Sequence, residues 1–256
     1  GNGYDSISGK AALYILNADS GALIRKFDTG ISGCNGLSSP AVIDIEYDGY
    51  VDYVYAGDLK GNLWKFDLTH HNSNDWKISF SDGTIPQPLF TARNSDGGIQ
   101  PITVSPDVMQ SCAPGEKGCM VIFGTGQFLG KPDIADSANQ SFYGIWDWQE
   151  MWKQAKGEMV SQKMYLGEFT AERDLSNLSD NPYLDENGRK VTLVQQEVEA
   201  ETDEWRILTD YPVNYYDANS GKGAHAGWYF DLPDFRERSI RDPMVISGIA
   251  VMISSI

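Results

Sequence analysis

The chain has 256 residues, 41% of them hydrophobic, enough to bury a sizeable core and unlike a disordered chain. Its 36 Asp and Glu against 20 Lys and Arg leave a net charge of −16. That argues against nucleic-acid binding and against docking on anionic lipid, both of which need a basic face.

Gly1 opens the chain with no initiator Met and no charged-then-apolar leader, which reads as an excised piece of a longer protein. No linker or low-complexity tract divides it, so residues 1–256 read as one domain. Short runs rich in Val, Ile, Tyr, Phe and Trp lie between turn signals and predict strands at 12–16, 41–45, 53–56, 62–68, 120–124, 142–148, 191–196, 227–232 and 244–252. The last of these holds the longest apolar run, 244–253, broken by Ser247 and Gly248 and far short of the roughly 20 residues that span a bilayer. It reads as a pair of strands, not as a membrane insertion. Helical periodicity is confined to 149–156 and 170–178.

Two stretches look like copies of one unit: LYILNADSGALIRKFDTG from Leu13 and YVYAGDLKGNLWKFDL from Tyr53. Aligning Gly21 with Gly61 places Ile24 on Trp64 at an offset of 40 residues. That period suits a four-stranded propeller blade, of about 40 to 50 residues, with the residue after the turn packing between blades. Two unrelated hairpins would give the same pattern.

The sharpest local signal is DIEYDGYVD, residues 44–52. Carboxylates stand at positions one, three, five and nine (Asp44, Glu46, Asp48, Asp52), with Gly49 at six and the Tyr50 carbonyl at seven. This is the oxygen spacing of an EF-hand-type calcium loop, in which Gly permits the sharp turn that converges alternate side chains on one hard cation. Position three is a longer Glu, position twelve is Tyr55 rather than a bidentate Glu, and the flanks are strands. The spacing therefore predicts one Ca2+ stapling a turn between two strands; a solvated acidic hairpin is the plain alternative.

Cys112 and Cys119 bracket Ala-Pro-Gly-Glu-Lys-Gly, a separation that a hairpin-closing disulfide can span, although two buried thiols fit the same spacing. Cys34 is left over. The cysteines lean towards an oxidising, exported setting.

Three blocks carry a family resemblance: AVIDIEYDGYVDYVYAGDLKGNLWKFDL from Ala41, MVIFGTGQFLGKPDIADSANQSFYGIWD from Met120, and GWYFDLPDFRERSIRDPMV from Gly227. They occur in the order found in the PilY/PilC proteins of type IV pili, and the chain resembles that family. The resemblance implies an all-β fold, a modified seven-bladed β-propeller truncated at one or both ends. It implies export through the periplasm to the cell surface and pilus tip, with minor pilins and a surface or host receptor as partners. Adhesion, pilus assembly against retraction, and control by one calcium are implied with it. The ligands that carry over are Asp44, Asp48, Asp52 and the Tyr50 carbonyl, while Glu46 fills a slot the family usually gives to Asp or Asn.

The enzyme-class rival is a quinoprotein-type propeller dehydrogenase. Its cofactor site needs a vicinal disulfide and a calcium held by residues distant in sequence, and this chain has no Cys-Cys pair. No catalytic residue is assigned. His70 and His71 read as a polar loop, Trp146, Trp148 and Trp152 as core rather than a carbohydrate platform, and the acidic run 197–204 as a solvated edge or loop.

Overall fold

In a computed structural model the chain is described over residues 9–110, 118–147, 192–201, 206–209, 211–215 and 225–256. Among these, strands dominate, and the helical elements are two short 3-10 turns, Ser73–Asp75 and Lys131–Ala135. In chain order the strands are β1 (Lys10–Leu16), β2 (Leu23–Ser32), β3 (Ala41–Ile43), β4 (Tyr53–Gly57), β5 (Asn62–Asp67), β6 (Lys77–Ile78), β7 (Phe80–Asp82), β8 (Ile85–Gln87), β9 (Phe90–Thr91) and β10 (Asp107–Gln110). There follow β11 (Cys119–Gly124), β12 (Ser141–Asp147), β13 (Thr192–Gln195), β14 (Val198–Glu201), β15 (Arg206–Leu208), β16 (His225–Asp231), β17 (Arg238–Ser239), β18 (Met244–Ile246), β19 (Ile249–Val251) and β20 (Ser254–Ser255).

The organising layer is the sheet β3-β4-β5-β6, with β9 also paired to β5. Every residue of β4 is buried, as is β5 up to Phe66. A strand sends successive side chains to opposite faces, so a strand buried throughout must be covered on both. Tyr53, Tyr55 and Leu63 enter one core with Val121, Ile122, Tyr143 and Ile145 of the sheet β10-β11-β12-β16-β13. Val54, Ala56, Trp64 and Phe66 enter a second core with Phe27 of β2, against which Leu13 and Ile15 of β1 pack. Sheets stacked face to face are the arrangement a propeller requires.

Polar groups pin this layer at two points. Asp58, wholly buried in the turn after β4, accepts from the Lys60 and Asn62 amides on Oδ1 (2.8 and 3.0 Å). Its Oδ2 accepts from Trp64 Nε1 (2.8 Å) and Asn35 Nδ2 (3.1 Å). Gly61 holds the same turn at φ 79°, where an added Cβ would stand 2.6 Å from the Ala92 carbonyl oxygen. The second point lies between sheets: Lys65 Nζ meets Asp147 Oδ2 at 2.7 Å, and the Tyr55 hydroxyl, directly across the ladder from Lys65, donates to that same oxygen at 2.7 Å. The Lys65 ammonium also lies 4.3 Å from the Tyr53 ring centroid, a cation–π contact shielded from solvent.

The structure revises some expectations and bears out others. The two proposed copies both fold as hairpins, β1–β2 and β4–β5, but they run in opposite senses. Asn35 donates its amide to the Gly9 carbonyl (3.4 Å) and its side chain to Asp58, which sets the start of β1 beside the end of β4. Ile24, matched to buried Trp64, is 41% exposed; Leu13 and Ile15 are what face the second core. Strand–Gly–strand carries no direction, so the alignment fixed a hairpin without fixing its sense. The strand at 41–45 ends at Ile43, because the Ile45 amide is taken by the Asp52 carboxylate (2.7 Å). The pair at 244–252 is the hairpin β18–β19, turned by Ser247 and Gly248 at φ 51° and 81°. Residues 198–201 of the acidic run form β14, paired with β15. The helical stretches at 149–156 and 170–178, with Trp148, Trp152 and Cys112, lie outside the described residues. Among the described residues no helix is long and apolar enough to cross a membrane.

The Lys65–Asp147 pair generates a direct prediction. Lys65→Ala strands a buried carboxylate and should lower unfolding free energy by about 3–5 kcal/mol, measured by urea denaturation. Replacing both partners, Lys65→Met with Asp147→Leu, should recover most of that loss; a single variant as stable as the parent would contradict it.

Candidate functional site

The loop 44–52 joins β3 to β4 at the rim of the doubly covered sheet. Its frame is built by its own carboxylates. Asp44 accepts the Asp48 amide on Oδ1 (3.2 Å) and the Gly49 amide on Oδ2 (2.8 Å), and Asp48 Oδ1 accepts the Tyr50 amide (2.9 Å). Asp52 closes the far end: Oδ2 accepts from the Ile45 amide, while its own amide donates to the Ile43 carbonyl (2.9 Å). Gly49 stands at φ 89°, the left-handed turn expected at position six. Tyr47, a residue with a Cβ, is also left-handed, at φ 56°. A side-chain amide from the neighbouring sheet meets the loop here: Gln110 Nε2 donates to the Ile45 carbonyl (2.6 Å), and Oε1 accepts from the Tyr47 hydroxyl (3.0 Å).

Glu46, Asp48 and Tyr50 are exposed, whereas Asp44 and Asp52 are partly buried. No Lys, Arg or His among the described residues forms an ion pair with any of the four carboxylates; the pairs present are Lys10–Asp28, Lys65–Asp147 and His70–Asp75. Every donor the loop offers is an oxygen, the chemistry that suits a hard divalent cation. The geometry is less complete than the spacing: among the described residues no three Asp, Glu, His or Cys side chains are gathered closely enough to hold a metal ion. Asp44, Asp48 and Asp52 each accept backbone amides, and Glu46 and Asp48 are exposed.

Beside the loop runs a cleft of about 1130 Å³, lined by Glu46, Asp48, Tyr50 and Asp52 on one wall, Leu13 and Ile15 of β1 on another, and His70, His71 and Trp76 at its end. His70 and His71 are exposed, and His70 Nδ1 lies 3.2 Å from Asp75 and accepts the Asn72 amide, as a polar loop would. Trp146 is 2% exposed and packs on Tyr215 at 5.3 Å between centroids, in the core as expected. His225 is held below the ordinary imidazole range by burial.

Cys119 is wholly buried at the start of β11. Burial first, and then the neighbouring Asp147 charge, push its thiol up to about 12, although Lys65 and a Tyr55 hydrogen bond act the other way. Cys34 is exposed. Sequence reasoning missed Gln110, which meets the loop, and Asp58, which holds the turn at the other end of β4. Nothing in the sequence marks Gln110, but Asp58 carries a legible signal in Asp-Leu-Lys-Gly-Asn-Leu-Trp, residues 58–64, where Lys60, Asn62 and Trp64 all donate to it; its other donor, Asn35, is distant in sequence.

Residues 1–173 match the family model described as the PilY1 beta-propeller domain. The Type IV pilus biogenesis factor PilY1 of Pseudomonas aeruginosa PAO1 is 34% identical over 279 residues, an alignment covering 100% of this chain and 22% of that protein. A PilY1 homolog of Xylella fastidiosa Temecula1 is 37% identical over 265 residues, covering 97% of this chain and 15% of the relative. The crystal structure of the Pseudomonas aeruginosa PilY1 C-terminal domain superposes with a TM-score of 0.72 at 32% identity, covering 99% of this chain and 51% of that one. The chain thus spans about a fifth of the length of the first curated relative and about half of the solved domain.

Proposed function

Because the chain belongs to the PilY1 β-propeller family, we propose that it serves as the calcium-responsive propeller portion of a type IV pilus assembly and adhesion protein. It is a pilus-related propeller domain; its relatives are named as biogenesis factors rather than enzymes, and the role we assign is binding, not catalysis. One observation supports the calcium part of the reading: four carboxylates within nine residues, framed by their own backbone bonds and without a cationic partner among the described residues.

Asp44, Glu46, Asp48, Asp52 and the Tyr50 carbonyl would hold the ion, and Ca2+ there would neutralise the carboxylates that otherwise repel one another. The chain's own residues divide the work. Asp44 and Asp52 are fixed in advance by the bonds they accept, so little order is lost at those two positions. Glu46 is exposed and would have to be drawn in, Asp48 is exposed but already accepts the Tyr50 amide, and both also line the cleft. Ion concentration would thereby change the shape and charge of a surface open to minor pilins at the pilus tip or to a surface or host receptor. Through that surface the domain would favour pilus extension over retraction. An exported, pilus-associated location supplies millimolar calcium and an oxidising medium, and a Cys112–Cys119 bridge would suit it.

Calorimetric titration of calcium into chelator-treated protein tests the reading. We expect one site with Kd between about 10⁻⁶ and 10⁻³ M, and a melting temperature that rises with calcium as mass action requires. Asp52→Ala should abolish both responses while leaving the protein folded in chelator; unchanged affinity in that variant would refute the site. For the bridge, alkylation followed by non-reducing peptide mapping should show Cys112 and Cys119 linked and Cys34 alkylated, whereas alkylation of all three would rule it out.

A further inference from the structure

One contact at the loop belongs to none of its expected ligands. Gln110 ends β10, a strand of the neighbouring sheet, and both polar atoms of its amide reach across to the loop, Nε2 to the Ile45 carbonyl at 2.6 Å and Oε1 to the Tyr47 hydroxyl at 3.0 Å. Ile45 and Tyr47 are positions two and four, the residues that alternate with Asp44, Glu46 and Asp48. Tyr47 is 79% exposed, so burial does not hold its side chain, and its backbone is in the left-handed region where residues with a Cβ rarely settle. Its hydroxyl bond to Gln110 is the restraint the geometry offers. Gln110 is itself fixed by register: it pairs with Cys119 of β11, and Cys119 pairs with Asp147 of β12. Asp147 is the carboxylate that receives Lys65 and Tyr55 from the loop's own sheet. A closed circuit therefore runs from the loop through Gln110 and two ladders to the inter-sheet ion pair and back along β4 to the loop.

We propose that Gln110 is a positioning residue for the cation site: it pins the two residues interleaved with the first three carboxylates, reduces the ordering needed on binding, and ties occupancy of the loop to the contact between two sheets. The inference rests on the calcium reading above and adds a residue that touches no ion.

The test is calcium titration by calorimetry of the parent, Gln110→Ala and Tyr47→Phe, each also melted in chelator. Losing two hydrogen bonds should weaken calcium binding about 10-fold in Gln110→Ala, and losing the hydroxyl alone about 3-fold in Tyr47→Phe. Melting in chelator should move by no more than about 4 °C, which separates positioning from a general loss of stability. Parent-like affinity in both variants would overturn the proposal while leaving the calcium site standing. Weaker binding accompanied by a large fall in chelator melting would overturn it in favour of a structural role. A parent that binds no calcium at millimolar concentration overturns the calcium reading and this proposal together. Should Gln110→Ala fail to fold, Tyr47→Phe, which keeps the ring, decides the question alone.

Discussion

Two central strands with no solvent face govern this structure. Once β4 and β5 are covered on both sides, every polar atom they carry must find a partner inside the protein or cost the free energy of an unsatisfied buried group. Asp58 answers that demand at the turn, where a fully buried carboxylate is surrounded by donors from the backbone, Asn35, Asn62 and Trp64. Lys65 answers it in the middle of the strand by pairing with Asp147 of the adjacent sheet. Removing one member of such a pair costs far more than the pair contributes, so both sheets are constrained to one register against each other.

The acidic loop hangs from the rim of that rigid layer, and the contrast gives it its properties. Asp52 stands immediately before buried Tyr53, and the Leu68 amide after β5 donates to the Asp52 carbonyl (2.8 Å), so the far end of the loop inherits the order of the sheet. Residues 46–50 project into solvent with four carboxylates nearby and no positive partner among the described residues. Low local stability beside a high-stability scaffold is where ligand-linked ordering is expected. Membership of a pilus biogenesis family gives such a surface a setting in which to act.

Strand positions were legible because a buried strand advertises itself by apolar and aromatic density: 53–56, 62–68, 120–124 and 142–148 each fall within one or two residues of β4, β5, β11 and β12. The loop was legible for a different reason, since carboxylates at alternate positions around Gly49 encode a turn as well as a donor set. What the sequence concealed was direction and distance. The β1–β2 hairpin was found without its sense, because its residues specify a turn and a face, not which neighbour they meet. Nothing in the sequence around Lys65 names its partner, Asp147, 82 positions later. Gln110, in a strand too short and too polar to stand out, became meaningful once folding brought it against Ile45 and Tyr47.

On the proposed reading, a rigid two-sided sheet carries a loop whose order depends on a cation. Hydrogen–deuterium exchange of the protein with chelator and with millimolar calcium reads this directly. Amides of residues 45–50 should become protected when calcium is present, while those of β4 and β5 should be slow in both conditions. Equal exchange of the loop in the two conditions, or calcium-dependent protection spread evenly over β4 and β5, would contradict it.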